Sequence, residues 1–156
     1  YFTTMLDQSM TWDDVIKLKE DWGRKFCLKG IMSPSDARKA VEMKADAIMV
    51  SNHGGRQLDG SRSPFDQLPA IKEAVGDKLE IILDGGIRRG THVLKALSLG
   101  ATACSFGKGF LFALGAGGQA GVEQILKRMR EEIRRDMILL GCKSIKELNS
   151  SKIAYR

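Results

Sequence analysis

The sequence has few of the features that mark several specialised classes of protein. Among 156 residues there are two histidines and three cysteines, and no two cysteines have the C-x-x-C spacing of a zinc site, so no metal site is predicted. No apolar run reaches the roughly 18 residues of a membrane span, and residues 1–11 lack the basic start and apolar stretch of a signal peptide. Unpaired thiols fit a reducing compartment. We therefore expect a cytoplasmic protein without an integral membrane segment.

The composition is that of an ordinary globular chain. Hydrophobic residues make up 43% and charged residues 28%, which excludes a disordered or collagen-like chain, and the length predicts a single domain over residues 1–156. Lysine and arginine exceed aspartate and glutamate by 25 to 19, a net charge of +6, which suits an anionic ligand. The densest basic stretch, 127–136, also contains Glu131, Glu132 and Asp136. It is therefore interpreted as a solvated helix face, and no nucleic-acid partner is predicted.

Short apolar runs alternate with amphipathic segments along most of the chain. Each run is continuous rather than alternating, which is typical of strands buried on both faces of a parallel sheet, and Cys27 and Cys104 are expected in the core. Thr11 and the Ser33-Pro34 pair are predicted to begin helices. The predicted strands are 26–28, 45–50, 79–83 and 101–106, and the predicted helices are 11–22, 34 onward, 64–75, 91–99, 122–140 and 144–148.

Four successive strand–helix units leave two architectures open: a doubly wound open sheet, or part of a (β/α)8 TIM barrel. A complete barrel needs about 250 residues, and this chain has half of the units. Barrels of this kind bind phosphate after strands seven and eight. The last two predicted strands end in glycine-rich loops, so we assign the four units as strands 5–8 of an α/β barrel, followed by C-terminal helices.

Polar and glycine-rich residues follow the carboxyl end of each predicted strand, where parallel α/β folds bind ligands. Glycines allow the main chain to approach a phosphate closely, and helix N-termini offer N–H groups to it. Arg88 can bind an anion through two hydrogen bonds. The alternative is that these glycines only make turns. His53 is a candidate proton acceptor and Arg56 a candidate carboxylate ligand, although a single loop histidine is more often a surface residue. His92 is interpreted as structural or solvent-facing. The candidates are Lys29, Ser51 to Arg56, Asp84 to Arg88, Gly107 and Lys108.

Two nucleotide-binding motifs are excluded. The 100–108 segment lacks the spacing of a P-loop, and its lysine is followed by glycine instead of serine or threonine. The 115–120 segment matches the looser dinucleotide fingerprint, but no strand precedes it and no acidic strand end follows about 20 residues later.

The nine residues Ser-Asn-His-Gly-Gly-Arg-Gln-Leu-Asp at 51–59 resemble the signature of the FMN-dependent α-hydroxy-acid dehydrogenases and oxidases. Leu-Lys-Gly at 28–30 and Asp-Gly-Gly-Ile-Arg-Arg-Gly at 84–90 match the same family in order and spacing. The resemblance covers nearly the whole chain but only the carboxyl-terminal half of a typical member, and it is greatest to the bacterial L-lactate dehydrogenases. It implies FMN as cofactor and oxidation of an L-2-hydroxy acid such as L-lactate to the 2-oxo acid.

The resemblance also implies a role for each candidate. His53 would be the general base and Arg56 would bind the substrate carboxylate. Lys29 would stabilise reduced FMN, Ser51 would contact the flavin or its ribityl chain, and Asp84 would bind the ribityl hydroxyls. The phosphate would be bound by Gly86, Arg88, Gly107 and Lys108. Family members usually carry arginine where Lys108 stands, so the planar guanidinium is lost here.

The family's first half has no counterpart here, including the aspartate that orients the base. We therefore expect a chain that self-associates as a homo-oligomer or that is part of a longer polypeptide, because a half barrel exposes sheet edges and an apolar interior. The alternatives to an oxidoreductase are a non-catalytic FMN- or phosphate-binding half barrel and a different phosphate-binding barrel enzyme such as a nucleotide dehydrogenase. The family's relatives can also lie on the cytoplasmic membrane face.

Overall fold

The computed structural model describes residues 5–154, so the predicted domain 1–156 extends beyond the described part at both ends. Within it, four parallel strands form one sheet in the order β1-β2-β3-β4. The strands are β1 (Cys27–Lys29), β2 (Ala47–Val50), β3 (Glu80–Asp84) and β4 (Ala103–Ser105). The helices are α1 (Trp12–Trp22), α2 (Pro34–Glu42), α3 (Pro64–Val75), α4 (Gly90–Ser98) and α5 (Lys108–Leu139), and short 3-10 helices cover His53–Gly55, Ile145–Glu147 and Ser150–Lys152. The predicted α/β architecture of four strand–helix units is confirmed.

Helices α2 and α3 begin where the sequence predicts them to begin. Ser33 Oγ accepts a hydrogen bond from the N–H of Asp36 at 3.1 Å, and Ser63 Oγ accepts one from Asp66 at 3.2 Å. In both helices proline occupies the first turn, where its missing N–H costs nothing. The caps determine the first residues of α2 and α3, and therefore where the loops before these helices end.

The core lies on one face of the sheet. Side chains alternate between faces along each strand, and Ile48, Val50, Ile81 and Leu83 are almost fully buried beneath the helices. On the opposite face, which would be the interior of a closed barrel, Met49 and Ile82 are only partly buried and Ala103 is exposed. The prediction that the strands are buried on both faces is therefore wrong for this chain, because its helices cover one face only.

Two other expectations differ from the structure. Cys27 is exposed because its side chain lies on the face of the sheet that the helices leave uncovered, the face that also carries Lys29 and Met49. The last long helix begins at Lys108 rather than near residue 122, and it bends at Gly117 and Gly118, where Gly118 has a φ of 56°. Glycine tolerates that left-handed conformation without steric cost, so the glycine-rich stretch forms a kink within the helix instead of a loop before it. Burial raises the pKa of Cys104 to about 11.

The segment 127–136 is not a fully solvated helix face, as the sequence suggested. Met129, Glu132 and Asp136 are buried on the side of α5 that packs against α4. The contact is close because α4 begins with a glycine: a Cβ at Gly90 would lie 2.5 Å from the carbonyl oxygen of Met129. The i, i+3, i+4 spacing of apolar and acidic residues therefore marks a packed face, and its charges are paired within the protein. No helix among residues 5–154 combines the length and hydropathy of a membrane span.

Candidate functional site

A cleft of about 510 Å³ opens at the carboxyl ends of the four strands, within the size range of small-molecule sites. It is lined by residues that follow every strand, so a single rim of the sheet brings together segments far apart in sequence. Ser51 lies beneath the cleft and is 2% exposed. The lining contains all the other predicted site residues: Lys29, His53, Arg56, Asp84, Gly86, Arg88, Gly107 and Lys108.

A buried hydroxyl connects the first three strands beneath the cleft. Ser51 Oγ donates to Asp84 Oδ2 at 2.6 Å, and it accepts from Lys29 Nζ at 3.1 Å and from the N–H of His53 at 3.2 Å. A serine hydroxyl offers one donor and two acceptor positions, so all three are used within the protein. Lys29 Nζ also lies 3.6 Å from Asp84 Oδ2. This arrangement holds the ammonium and the carboxylate side by side at the floor of the cleft.

The loop after β2 presents both chemically active side chains to solvent. His53 has a φ of 56°, an uncommon conformation for a residue with a Cβ. Gly54 and Gly55 continue the turn with φ values of 68° and 75°. Asn52 stabilises it, since its Oδ1 accepts from the N–H of Gly55 at 3.1 Å and its Nδ2 donates to the carbonyl of Arg62. The turn leaves His53 exposed on the cleft wall.

Glycines and cations from the loops after β3 and β4 also line the cleft. Gly85 and Gly86 have φ values of 97° and 74°, so they turn the chain sharply after β3 without the strain that a Cβ would add. Arg88 follows in the same loop, and Lys108 lies in the first turn of α5, where main-chain N–H groups favour an anion. Two cations and a helix N-terminus that line one cleft suit a phosphate group.

The N-terminus of α4 does not serve the same purpose, contrary to the sequence-based expectation. Glu132, whose side chain is 5% exposed, accepts a hydrogen bond from the N–H of Gly90 at 2.7 Å. It also pairs with Arg89 and Arg128 at 3.3 and 3.4 Å. The Gly90 hydrogen bond is the main cause that lowers the pKa of Glu132. The positive end of this helix is therefore neutralised by the protein's own carboxylate.

Sequence reasoning missed one residue that organises the site, Glu132, and it gave no separate role to Asn52, which lies within the candidate segment Ser51 to Arg56. Asn52 could have been recognised by its position before a Gly-Gly pair, where asparagine commonly caps a turn. Glu132 carries only the four-residue spacing from Arg128, which any solvated helix shows. His92 is partly buried and its Nδ1 accepts from the N–H of Arg88 at 3.2 Å, a contact between residues four apart that only the loop conformation creates. The structural interpretation of His92 therefore agrees with the geometry.

Comparison with known proteins identifies this arrangement. Residues 1–155 match the family described as FMN-dependent dehydrogenase. The chain belongs to this family. Membership confirms the resemblance stated from the motifs, and with it the TIM-barrel class, the assignment to the carboxyl-terminal half and FMN as the family's cofactor.

The chain is 46% identical over 151 residues to an L-lactate oxidase of Nostoc sp., covering 97% of this chain and 41% of that protein. It is 48% identical over 143 residues to a pre-mycofactocin synthase of Mycobacterium tuberculosis, covering 92% of this chain and 36% of that protein. The fold matches a flavocytochrome b2 variant with sulfite bound, with a TM-score of 0.88 and 42% identity, over 94% of this chain and 39% of that one. The chain thus spans about two fifths of the length of these relatives.

The residues present fit an FMN molecule. A dianionic phosphate suits the end of the cleft that carries Arg88 and Lys108, where glycines admit close approach of the main chain. A ribityl chain offers hydroxyls to a carboxylate such as Asp84, and the partly exposed ammonium of Lys29 lies beside it. Cleft size, charge and donor set therefore agree with the family's cofactor.

Proposed function

We propose that this chain forms the FMN- and substrate-binding half of an enzyme that oxidises an L-2-hydroxy acid, with L-lactate as substrate, to the 2-oxo acid. The observation that supports it best is that His53 and Arg56 open onto the same cleft as Lys29, Asp84, Arg88 and Lys108. An acid–base group and a carboxylate ligand thus share one cavity with a cationic site for a phosphate. A small acid bound by Arg56 would have its reactive carbon within the same cavity.

Each side chain then has a distinct task. Arg56 binds the substrate carboxylate through two parallel hydrogen bonds, and His53 accepts a proton from the 2-hydroxy acid. FMN, when bound, takes up the two electrons that the substrate loses. Lys29 holds a positive charge near the flavin, where it would stabilise the negative charge of the reduced FMN. Ser51 positions Lys29 and Asp84 relative to each other through its hydrogen bonds.

The phosphate end anchors the cofactor. Arg88, Gly86, Gly107 and Lys108 bind the phosphate, while Asp84 accepts hydrogen bonds from the ribityl hydroxyls. The charge of Lys108 supports this task, but an ammonium lacks the planar fork of arginine and binds phosphate as a point charge. The site also distinguishes this function from that of a nucleotide dehydrogenase, because His53 and Arg56 suit a small carboxylic acid.

The test is anaerobic reduction of added FMN. The purified chain is mixed with FMN and L-lactate without oxygen, and the yellow absorbance is followed. Bleaching supports the oxidoreductase. Bound flavin that stays yellow supports the alternative, a half barrel that binds FMN without turnover. Absence of flavin binding would overturn both functions.

Two variants test the roles of His53 and Arg56, and a third variant in the same loop serves as the control. His53→Gln should slow flavin reduction by about 10²-fold or more, in the range of general-base catalysis. Arg56→Lys should mainly raise the lactate concentration needed for half-maximal rate, because bidentate binding is lost. Arg62→Lys changes an exposed arginine of the same loop that does not line the cleft, and it should leave both parameters unchanged. If His53→Gln reduces flavin at the parent rate, His53 is not the base.

A further inference from the structure

The imidazole of His92 contacts the loop that follows β3, although no step of the proposed reaction uses it. His92 lies in the first turn of α4, and its Nδ1 accepts a hydrogen bond from the main-chain N–H of Arg88 at 3.2 Å. This hydrogen bond is exposed to solvent, and it joins the first turn of α4 to the loop that precedes the helix. The residue that it holds, Arg88, lines the cleft.

A second side chain holds the same imidazole in place. The ring of Phe65, in α3, meets the ring of His92 edge to face, with centroids 6.5 Å apart and an angle of 76° between the planes. Phe65 also lies behind the loop, since a Cβ at Gly86 would be 3.5 Å from its ring. The Phe65 and His92 rings therefore both contact the 86–88 loop, and neither of them lines the cleft.

We propose that His92 is a positioning residue that fixes the main chain of Arg88 and thereby preorganises the loop that binds the FMN phosphate. The proposal rests on the proposed function, because it assigns the phosphate to that loop. A loop already held in its binding conformation loses less conformational freedom when the ligand binds, so affinity rises without a direct contact to the ligand.

The charge state of His92 agrees with this role. Nδ1 can accept a hydrogen bond only when the imidazole is neutral and its proton is on Nε2. Desolvation by burial is the main cause that lowers the pKa of His92, followed by the positive charges of Lys95, Arg89 and Arg88, while a main-chain hydrogen bond with Gly86 acts in the opposite direction. From α3, Phe65 contributes an uncharged ring. The imidazole therefore stays neutral at and above pH 7.

Two variants separate the hydrogen bond from the packing of the ring. His92→Phe keeps an aromatic ring against Phe65 and removes the acceptor. His92→Asn loses the ring but places an amide oxygen where Nδ1 stands. Dissociation constants for FMN and for riboflavin, which lacks the phosphate, are measured at pH 8 by quenching of flavin fluorescence. We expect His92→Phe to weaken FMN binding about tenfold, the loss of about one hydrogen bond, with riboflavin unchanged, and His92→Asn to stay within about threefold of the parent.

A pH series adds a readout that a purely structural role would not change. As the pH falls from 8 through the lowered pKa of His92, the imidazole becomes protonated and its Nδ1 can no longer accept. The parent chain should then lose FMN affinity more steeply than His92→Asn. The second ionisation of a phosphate monoester, near pH 6, affects both proteins equally and cancels in the comparison. Parallel pH profiles for the two proteins would contradict the proposal.

NMR distinguishes failure of this inference from failure of the proposed function. Ring ¹⁵N shifts of the unliganded chain should show His92 with its proton on Nε2, and amide exchange at Arg88 should be faster in His92→Phe than in the parent. If FMN binds the parent no more tightly than riboflavin does, the phosphate site is wrong, while these measurements still decide the role of His92. Unchanged FMN affinity in His92→Phe, or a proton on Nδ1, would overturn the inference.

Discussion

Lys108 Nζ donates a hydrogen bond to the main-chain carbonyl of Gly54 at 2.8 Å, although the two residues lie 54 positions apart. Gly54 directly follows His53, and Lys108 stands at the start of α5. The contact passes from the loop after β2 to the loop after β4, across the end of β3. It links the start of α5, which lines the cleft, to the loop that carries the candidate base.

Lys108→Met should loosen the loop after β2. The variant removes the only charge-assisted donor on Gly54 among the described hydrogen bonds, so amides 52–56 should exchange with solvent a few-fold faster in hydrogen-exchange mass spectrometry. Lys127→Met, which changes an exposed lysine further along α5, is the matched control and should leave these amides as they are. Equal protection in both variants would show that the Lys108 contact does not hold the loop.

Ser51→Ala should destabilise the floor of the site. The hydroxyl makes three hydrogen bonds, two of them with charged side chains, and the alanine leaves Asp84 and Lys29 less well paired. We expect a loss of about 2 kcal/mol, or roughly 4–8 °C in the midpoint of thermal unfolding for a chain of this size, measured by circular dichroism. Ser61→Ala, in the neighbouring loop, should change the midpoint by less than about 1 °C. A midpoint for Ser51→Ala equal to that of the control would contradict this assignment.

Glu132→Ala should lower stability by about 2 kcal/mol, because it leaves the buried N–H of Gly90 without its acceptor and removes the carboxylate that pairs with Arg89 and Arg128. Since the pKa of Glu132 is lowered in the folded protein, its contribution is present above the unfolded pKa of about 4.3 and is lost as the pH falls through the folded pKa. The difference in midpoint from the parent should therefore be largest near neutral pH and shrink in acid. Glu131→Ala, at an exposed neighbouring position, should show neither effect, and a pH-independent difference for Glu132→Ala would contradict the electrostatic explanation.

Self-association should depend on the face of the sheet that the helices leave partly uncovered. Ile82 is partly buried on that face, whereas its neighbour Ile81 is 1% exposed and packs beneath the helices. In sedimentation velocity we expect the parent chain to associate with increasing concentration and Ile82→Glu to shift the distribution toward a single chain. Ile81→Glu should instead unfold the protein. A parent chain that stays monodisperse as a monomer at all concentrations would refute the expected homo-oligomer.

Much of the fold could be predicted because it depends on local patterns. Four apolar runs, each followed by an amphipathic segment, specify parallel strands and covering helices, and Ser33 and Ser63 mark helix starts through hydrogen bonds only three residues long. The exposure of Cys27 could not be predicted in this way, because it depends on whether another layer covers that face of the sheet. The kink at Gly118 was also missed, since glycine permits a bend without requiring one.

The sequence by itself determined the residues of the candidate site and the rim where they lie, because the carboxyl ends of parallel strands all meet at one edge of a sheet. Only the tertiary structure decided how these residues are connected. Ser51 bonds to Asp84 across 33 positions, and Glu132 neutralises the helix N-terminus at Gly90 across 42. Such pairings depend on the packing of α4 against α5 and on the register of the strands. The residues next to a side chain in the sequence do not indicate a partner that lies far along the chain and is brought close only by the fold.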